Sequence, residues 1–239
     1  FVFVDSESKT DPKTDLSRYY DQKISATTFR VDKYEGQNLI NADYCGRRWI
    51  SNYHREDDKL KVSVRYLSLR GDFDPQSGSP CSTTDVATYR LSDNGLTYIG
   101  YTRTIDSATT GKAKSKIEAT YNPEWLILPK EIRLNENWKQ RLSITQKKHE
   151  NSFNIDQVTD VRTFPRESDS MALGFEDISV QAGSFKQCMK LALKRYSGSK
   201  YSIRVRWLCP SVGMVKEIVY PEGASNPSMT KELVNVTYL

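Results

Sequence analysis

Two histidines, His54 and His149, are the only candidates for a catalytic imidazole in the chain. A serine or cysteine nucleophile needs such a base, and the base needs a group that orients it. His54 lies in "NYHREDD", which predicts an exposed turn, and His149 lies among charged residues in "QKKHEN". The chain has no GxSxG elbow, no P-loop and no HExxH motif. We therefore expect no catalytic residues, although two distant carboxylates could still pair as they do in glycosidases.

Four cysteines are the other residues whose chemistry could matter: Cys45, Cys81, Cys188 and Cys209. None belongs to a CxxC pair, so with only two histidines we expect neither a metal site nor a cofactor. An even number at wide spacing predicts two disulfides in an oxidising compartment. A bridge from Cys81 to Cys45 would tie down the irregular segment 70–85. The alternative is a cytosolic protein with four buried thiols.

A row of basic side chains is the clearest candidate for a binding surface. The stretch 182–218 predicts a β-hairpin around a three-residue loop, Ser197 to Ser199. With that loop every apolar residue meets an apolar partner: Met189 with Trp207, Leu191 with Val205, Leu193 with Ile203. The opposite face then carries what we call the basic stripe: Lys190, Lys194, Arg204 and Arg206. It could dock an acidic protein or head group, or it could be an ordinary solvated face.

The same register affects the cysteines of the hairpin. It sets Cys188 opposite Leu208 and Cys209 opposite Gln187, so that the two thiols begin on opposite faces. A Cys188–Cys209 bridge is the nearest pairing but would then need a bulge or a break at Pro210. The alternative is a bridge from each of them to the N-terminal half.

The elements that must position these residues are strands. Valine, threonine, isoleucine and tyrosine are plentiful, and segments such as "LKVSVRY" (60–66) alternate apolar and polar residues. We expect a mainly β protein, a curved antiparallel sheet or a half-barrel or sandwich, with little helix. We expect residues 1–15 to be an extended tail and 16–239 a single β domain, with a possible division into 16–128 and 129–239.

Charge and hydropathy limit the partners. The net charge of +5 is spread along the chain, whereas nucleic-acid binding calls for a dense basic cluster with aromatic residues. No apolar run is long enough to span a bilayer, so we expect no transmembrane segment.

Two segments resemble a pattern in uncharacterised exported bacterial proteins and lipoproteins. "SVQAGSFKQCMKL" and "WLCPSVGMVKEI" are similar to "V-x-A-G-T-F-x-x-C-x-K-V" and "A-P-G-V-G-L-V-K", with Ser211 in place of the first glycine of the second motif. "PEWLILPKEIRLNENW" is similar to their companion segment, with Asn135 in place of its glycine. The resemblance covers about residues 123–220. It implies an exported protein, in the periplasm or at the cell surface, with a curved sheet loosely like those of the LolA and LolB lipoprotein carriers.

These observations favour a non-catalytic exported accessory protein that docks on protein partners in a larger assembly through the basic stripe. The alternative is a carrier of a lipid or other apolar ligand in a concave pocket lined by Trp138 and Trp207. A hydrolase is the third and least favoured hypothesis.

Overall fold

A computed structural model describes residues 14–15, 24–39, 48–56, 59–67, 83–106, 113–150 and 157–238. These residues form antiparallel strands and no helix. The strands are β1 (Thr14–Asp15), β2 (Ile24–Glu35), β3 (Asn38–Leu39), β4 (Arg48–Glu56), β5 (Lys59–Leu67), β6 (Thr83–Ser92), β7 (Gly95–Asp106), β8 (Ala113–Pro129), β9 (Glu131–Ile132), β10 (Asn137–Glu150), β11 (Val158–Val180), β12 (Gly183–Ser197), β13 (Lys200–Cys209), β14 (Gly213–Pro221) and β15 (Met229–Tyr238).

Thirteen of these strands form one sheet. Its order is β15-β14-β13-β12-β11-β10-β8-β7-β6-β5-β4-β2-β3, so most neighbours in the sheet are also neighbours in the sequence. The sheet curves so strongly that β15 also pairs with β2 along most of its length. The predicted fold class, a curved antiparallel sheet with little helix, is confirmed.

The sheet runs through the predicted boundary at residue 129, because β10 pairs with β8 from Ser143–Asn122 to Glu150–Ser115. Of the predicted tail, Thr14 and Asp15 pair with β9, and residues 1–13 lie outside the described part of the chain. No helix in the described residues could cross a membrane.

The inner face of the sheet is identified by a contact between distant strands. The guanidinium carbon of Arg195 on β12 lies 4.2 Å from the ring centroid of Trp125 on β8, although β10 and β11 separate the two strands in the sheet. This contact is possible only across the inside of the curve. We use "inner face" for the side on which Arg195 and Trp125 meet and "outer face" for the other side.

The β12–β13 hairpin corrects one sequence prediction. Its loop has two residues, Gly198 and Ser199, and not three. Leu191 therefore lies opposite Arg206, and Leu193 lies opposite Arg204, which is the register that apolar matching rejected. Matching fails as a guide because both faces of this hairpin are largely buried, so an apolar residue beside an arginine is not exposed to water.

The corrected register also aligns the two cysteines of the hairpin. Met189 pairs with Leu208, so Cys188 comes next to Cys209 at the following position, and their Cα atoms are 4.1 Å apart. They form a disulfide that needs none of the distortion the other register would require. The predicted pairing is confirmed, whereas the geometric objection to it was wrong. Cys45 and Cys81 lie outside the described residues.

Apolar side chains from both sides of the curve pack together on the inner face. One cluster joins Leu96 on β7 and Leu128 on β8 to Leu191 and Leu193 on β12. A second surrounds Trp125 with Ala119, Leu142 and Ile144. A third joins Phe29, Val31 and Leu233 on β2 and β15 to Ile203, Val205 and Trp207 on β13, and these three β13 residues belong to the outer face.

Candidate functional site: a cationic cluster on the inner face

Charged side chains form a row across three neighbouring strands of the inner face. Arg206 on β13 pairs with Glu217 on β14, and Glu217 pairs with Lys231 on β15. Paired residues of antiparallel strands point to the same side of a sheet, and Arg204 points there as well because it lies two residues before Arg206. With Arg195 on β12, these residues form what we call the cationic cluster: Arg195, Arg204, Arg206, Glu217 and Lys231.

A single carboxylate oxygen organises this cluster. Glu217 Oε1 accepts a hydrogen bond from Arg206 Nε at 2.7 Å and another from Arg204 Nη1 at 3.3 Å. Among the described residues, Arg195 has no hydrogen bond or ion pair, and its Nε atom and that of Arg204 are buried without a partner. Two guanidinium groups therefore share one carboxylate, and the guanidinium group of Arg195 lies near enough to interact electrostatically with all three of them.

The electrostatics of the cluster follow from its location. Burial, together with the like charges of Arg204 and Arg206, lowers the pKa of Arg195 well below its usual value. Burial likewise lowers the pKa of Lys231, to about 8. Burial alone would raise the pKa of Glu217, but Arg206, Arg204 and Lys231 outweigh it and hold that pKa well below its usual value. Glu217 is therefore ionised at neutral pH.

Aromatic rings line the opposite wall. The ring centroids of Tyr98 and Tyr121 are 4.9 Å apart, those of Tyr89 and Tyr98 are 4.9 Å apart, and those of Tyr121 and Trp125 are 5.9 Å apart. Burial raises the pKa of Tyr121 to about 12 and also raises the pKa of Tyr89 and of Tyr98 above the usual value of tyrosine. All three hydroxyl groups are therefore protonated at neutral pH and carry no charge.

The arginine side chains retain accessible surface despite their position between the two walls. The side chain of Arg204 is 27% exposed and that of Arg206 is 18% exposed, whereas Glu217 is 3% exposed. Burial dominates the pKa of Arg204, yet part of its side chain stays accessible on the inner face. We call the accessible space beside Arg204 and Arg206 the hollow. A compact ligand could approach the guanidinium groups there.

The basic stripe is divided between the two faces. Arg204 and Arg206 belong to the inner face, while Lys190 pairs with Trp207 and Lys194 pairs with Ile203 on the outer face. Lys190 Nζ lies 3.4 Å from Glu176 Oε1, and Lys194 Nζ lies 4.0 Å from the centroid of the Tyr201 ring. The four cations therefore do not form one docking surface. The two-residue loop causes this division, because it pairs the two arginines with leucines of the inner face and the two lysines with apolar residues of the outer face.

The two tryptophans of the predicted apolar pocket are also on opposite faces. Trp138 packs against the inner cluster of leucines. Trp207 lies on the outer face, where its Nε1 donates to Glu176 Oε1 at 2.5 Å. Beside it is a cavity of about 370 Å³, lined by Leu173, Gly174, Phe175, Glu176, Lys190, Val205, Trp207 and Tyr220. Trp138 and Trp207 thus cannot line a common pocket.

Sequence reasoning missed Arg195, Glu217, Lys231, Tyr89 and Trp125 as site residues. They come from strands far apart in the chain, so no local spacing connects them. One signal was present: in "SIRVRW" the arginines alternate with valine and isoleucine, and the strands before and after this one are also rich in apolar residues. The arginines of such a strand cannot lie in open solvent if other parts of the fold bury both of its faces.

The histidines do not form a common site. His54 is exposed on β4. His149 is buried on β10, with Nε2 3.3 Å from Glu118 Oε2. A hydrogen bond from Lys116 lowers the pKa of Glu118, so this carboxylate is engaged elsewhere. Within the described ranges no three histidine, cysteine or acidic side chains are grouped as metal ligands.

Comparisons with known proteins yield only distant likenesses. No protein family matches the chain, and no curated protein is similar to it. A solved structure from Bacteroides fragilis NCTC 9343, described as a "putative exported protein with YmcC-like fold", has a TM-score of 0.45 at 11% identity, over 89% of this chain and 94% of that one. A "putative lipoprotein" from Parabacteroides distasonis ATCC 8503 has a TM-score of 0.33 at 12% identity, over 88% of this chain and 95% of that one. At these TM-scores neither likeness carries an argument about function.

Proposed function

We propose that the protein is exported and acts without catalysis, by binding a ligand in the hollow on the inner face. The observation that carries this proposal is the accessible surface of Arg204 and Arg206 between the two walls of the sheet. Long cationic side chains normally extend to the solvent. Here they belong to the inner face, where the neighbouring Arg195 lies over the Trp125 ring. A few convergent polar groups beside aromatic side chains are typical of ligand sites.

Two modes of binding were expected from the sequence, and the structure keeps together the expected site of neither. Docking of a protein partner relied on the basic stripe, which is divided between the faces. The carrier hypothesis relied on a concave apolar pocket, but Leu191 and Leu193 are each only 1% exposed, so the protein's own side chains fill that part of the interior. The binding site that we propose is the cationic cluster and the aromatic wall beside it.

Export is the second part of the proposal. The disulfide between Cys188 and Cys209 is the kind of bond that persists in an oxidising compartment, and the resemblance of residues 123–220 to exported proteins agrees with it. The periplasm and the cell surface both fit, and the same bond is expected in either.

Native mass spectrometry of the full chain, isolated from its source under non-denaturing conditions, tests ligand binding. We expect a small molecule that is released on denaturation and that changes tryptophan fluorescence when it is added back. Trp125→Phe should remove most of this response, because Trp125 lines the hollow. The matched variant Trp207→Phe, on the outer face, should retain it. A chain that carries no small molecule, and binds none from a panel of neutral and charged compounds, contradicts the proposal.

A further inference from the structure

The guanidinium groups of the cationic cluster have far more donors than partners. A guanidinium group carries five N–H donors in a rigid fork. Among the residues that the structure describes, Arg206 and Arg204 each donate one hydrogen bond to Glu217, and Arg195 donates none. The buried Nε atoms of Arg195 and Arg204 have no acceptor. Buried donors without acceptors are rare in folded proteins, because each one costs free energy.

The charge of the cluster is equally unbalanced. Arg195, Arg204 and Arg206 contribute three positive charges, and within the described part of the chain Glu217 is the only carboxylate that contacts them. Like charges in a desolvated site repel one another strongly. An anion placed among the three guanidinium groups would remove both the repulsion and the unused donors.

We propose that Arg195, Arg204 and Arg206 together bind an oxyanion: a phosphate, sulfate or carboxylate group of the ligand. The planar fork of a guanidinium group matches two oxygens of such a group. The guanidinium carbon of Arg195 lies 4.2 Å from the centroid of the Trp125 ring, and this cation–π contact holds the guanidinium group beside the other two. The inference rests on the proposed function, since it names the chemical group that the same hollow recognises.

The oxyanion could be a free ion or the head group of a larger molecule, and a set of matched compounds distinguishes them. Isothermal titration of the full chain would compare inorganic phosphate, phenyl phosphate and dodecyl phosphate with phenol and dodecan-1-ol. We expect the phosphates to bind at least about tenfold more tightly than the alcohols of the same shape, since a hydrogen bond to a charged group is worth that much. If phenyl phosphate or dodecyl phosphate binds more tightly than inorganic phosphate, the oxyanion is the head group of a larger molecule with an aromatic or an alkyl part. If inorganic phosphate binds as tightly as the other two, the oxyanion is a free ion.

Variants identify the site. Arg195→Gln should weaken the binding of the phosphates by about tenfold or more. It leaves the bonds between Glu217 and the other two arginines intact, so loss of folding is not the expected cause, and circular dichroism checks this. Arg141→Gln is the matched control, because the side chain of Arg141 on β10 is 86% exposed.

The outcomes separate the two proposals. If the alcohols bind as tightly as the phosphates, or Arg195→Gln has no effect, the oxyanion inference is overturned while ligand binding in the hollow stands. If neither the phosphates nor the alcohols bind and the isolated protein carries no small molecule, both proposals are overturned. If the phosphates alone bind, and Arg195→Gln weakens them, the inference is supported.

Discussion

Arg206 and Glu217 are direct neighbours across the β13–β14 pair, and Arg206 Nε donates to Glu217 Oε1 at 2.7 Å. The same oxygen accepts a hydrogen bond from Arg204 at 3.3 Å. This one carboxylate therefore keeps two buried guanidinium groups compensated.

Replacing that carboxylate should strongly destabilise the folded protein. Glu217→Gln leaves Arg204 and Arg206 without a counter-charge, and we expect the free energy of unfolding to fall by about 3–5 kcal/mol. Guanidinium chloride unfolding followed by circular dichroism measures it. The control is Glu232→Gln, since Glu232 pairs with Lys216 at 2.6 Å on the outer face but is 38% exposed; it should cost less than about 1 kcal/mol. Equal losses in the two variants would show that Glu217 does not hold the cluster together.

Replacing Arg195 should have the opposite effect on the ligand-free protein. Arg195→Met removes a buried charge that lacks a partner among the described residues, and it keeps a long side chain against Trp125. We expect the free energy of unfolding to rise, by about 1 kcal/mol or more. Arg204→Met, which breaks the bond to Glu217, should lower it. Thermal unfolding of both variants in phosphate-free buffer makes the comparison, and a larger loss for Arg195→Met would refute the expectation.

The pH dependence of stability follows from Lys231 and the tyrosines. The folded protein lowers the pKa of Lys231 from 10.5 to about 8. Between these values the unfolded chain holds more protons, so stability should rise with pH, by at most about 1.4 kcal/mol per pH unit. Above pH 10 the unfolded chain loses protons that Tyr98 and Tyr121 retain, so stability should fall.

Urea unfolding at a series of pH values between 7 and 11 checks this maximum. Lys231→Met should remove the rise between pH 8 and pH 10 and leave the fall above pH 10. If Lys231→Met keeps the full rise in stability between pH 8 and pH 10, groups other than Lys231 cause that rise.

The hairpin disulfide should make a large contribution to stability. Cys188 and Cys209 are separated by 21 residues, for which the loop-closure argument predicts about 3 kcal/mol. The double variant Cys188→Ala, Cys209→Ala should therefore unfold at a correspondingly lower denaturant concentration. Peptide mapping under non-reducing conditions should recover the two cysteines in one linked pair of peptides. If Cys188 or Cys209 is found linked to Cys45 or Cys81, the register of the hairpin is contradicted.

Local patterns predicted most of the strands. "LKVSVRY" corresponds to β5, and "DVATYRLSDNGLTYIGYTRT" lies within the β6–β7 hairpin. The resemblance implied that Asn135 and Ser211 replace glycines, and both adopt a positive φ of 61°. These features depend on residues close together in the chain, which is why the sequence shows them.

The register of the β12–β13 hairpin could not be read from apolar matching. That argument assumes one wet face and one dry face, whereas the curved sheet largely buries both. The cysteines held better information: a two-residue loop is the one that sets Cys188 opposite Cys209. Combining the disulfide prediction with the choice of loop would have given the correct register.

By itself, the sequence determined most of the strands, the antiparallel class of the sheet and which residues of one strand share a face, because a strand repeats every two residues. Only the tertiary structure decided which face is the inner one. That choice depends on the curvature of the whole sheet, which brings β8 against β12 and places Arg195 on Trp125. The arginines that alternate along β13 therefore point into the molecule and not into solvent, and no local pattern could reveal it.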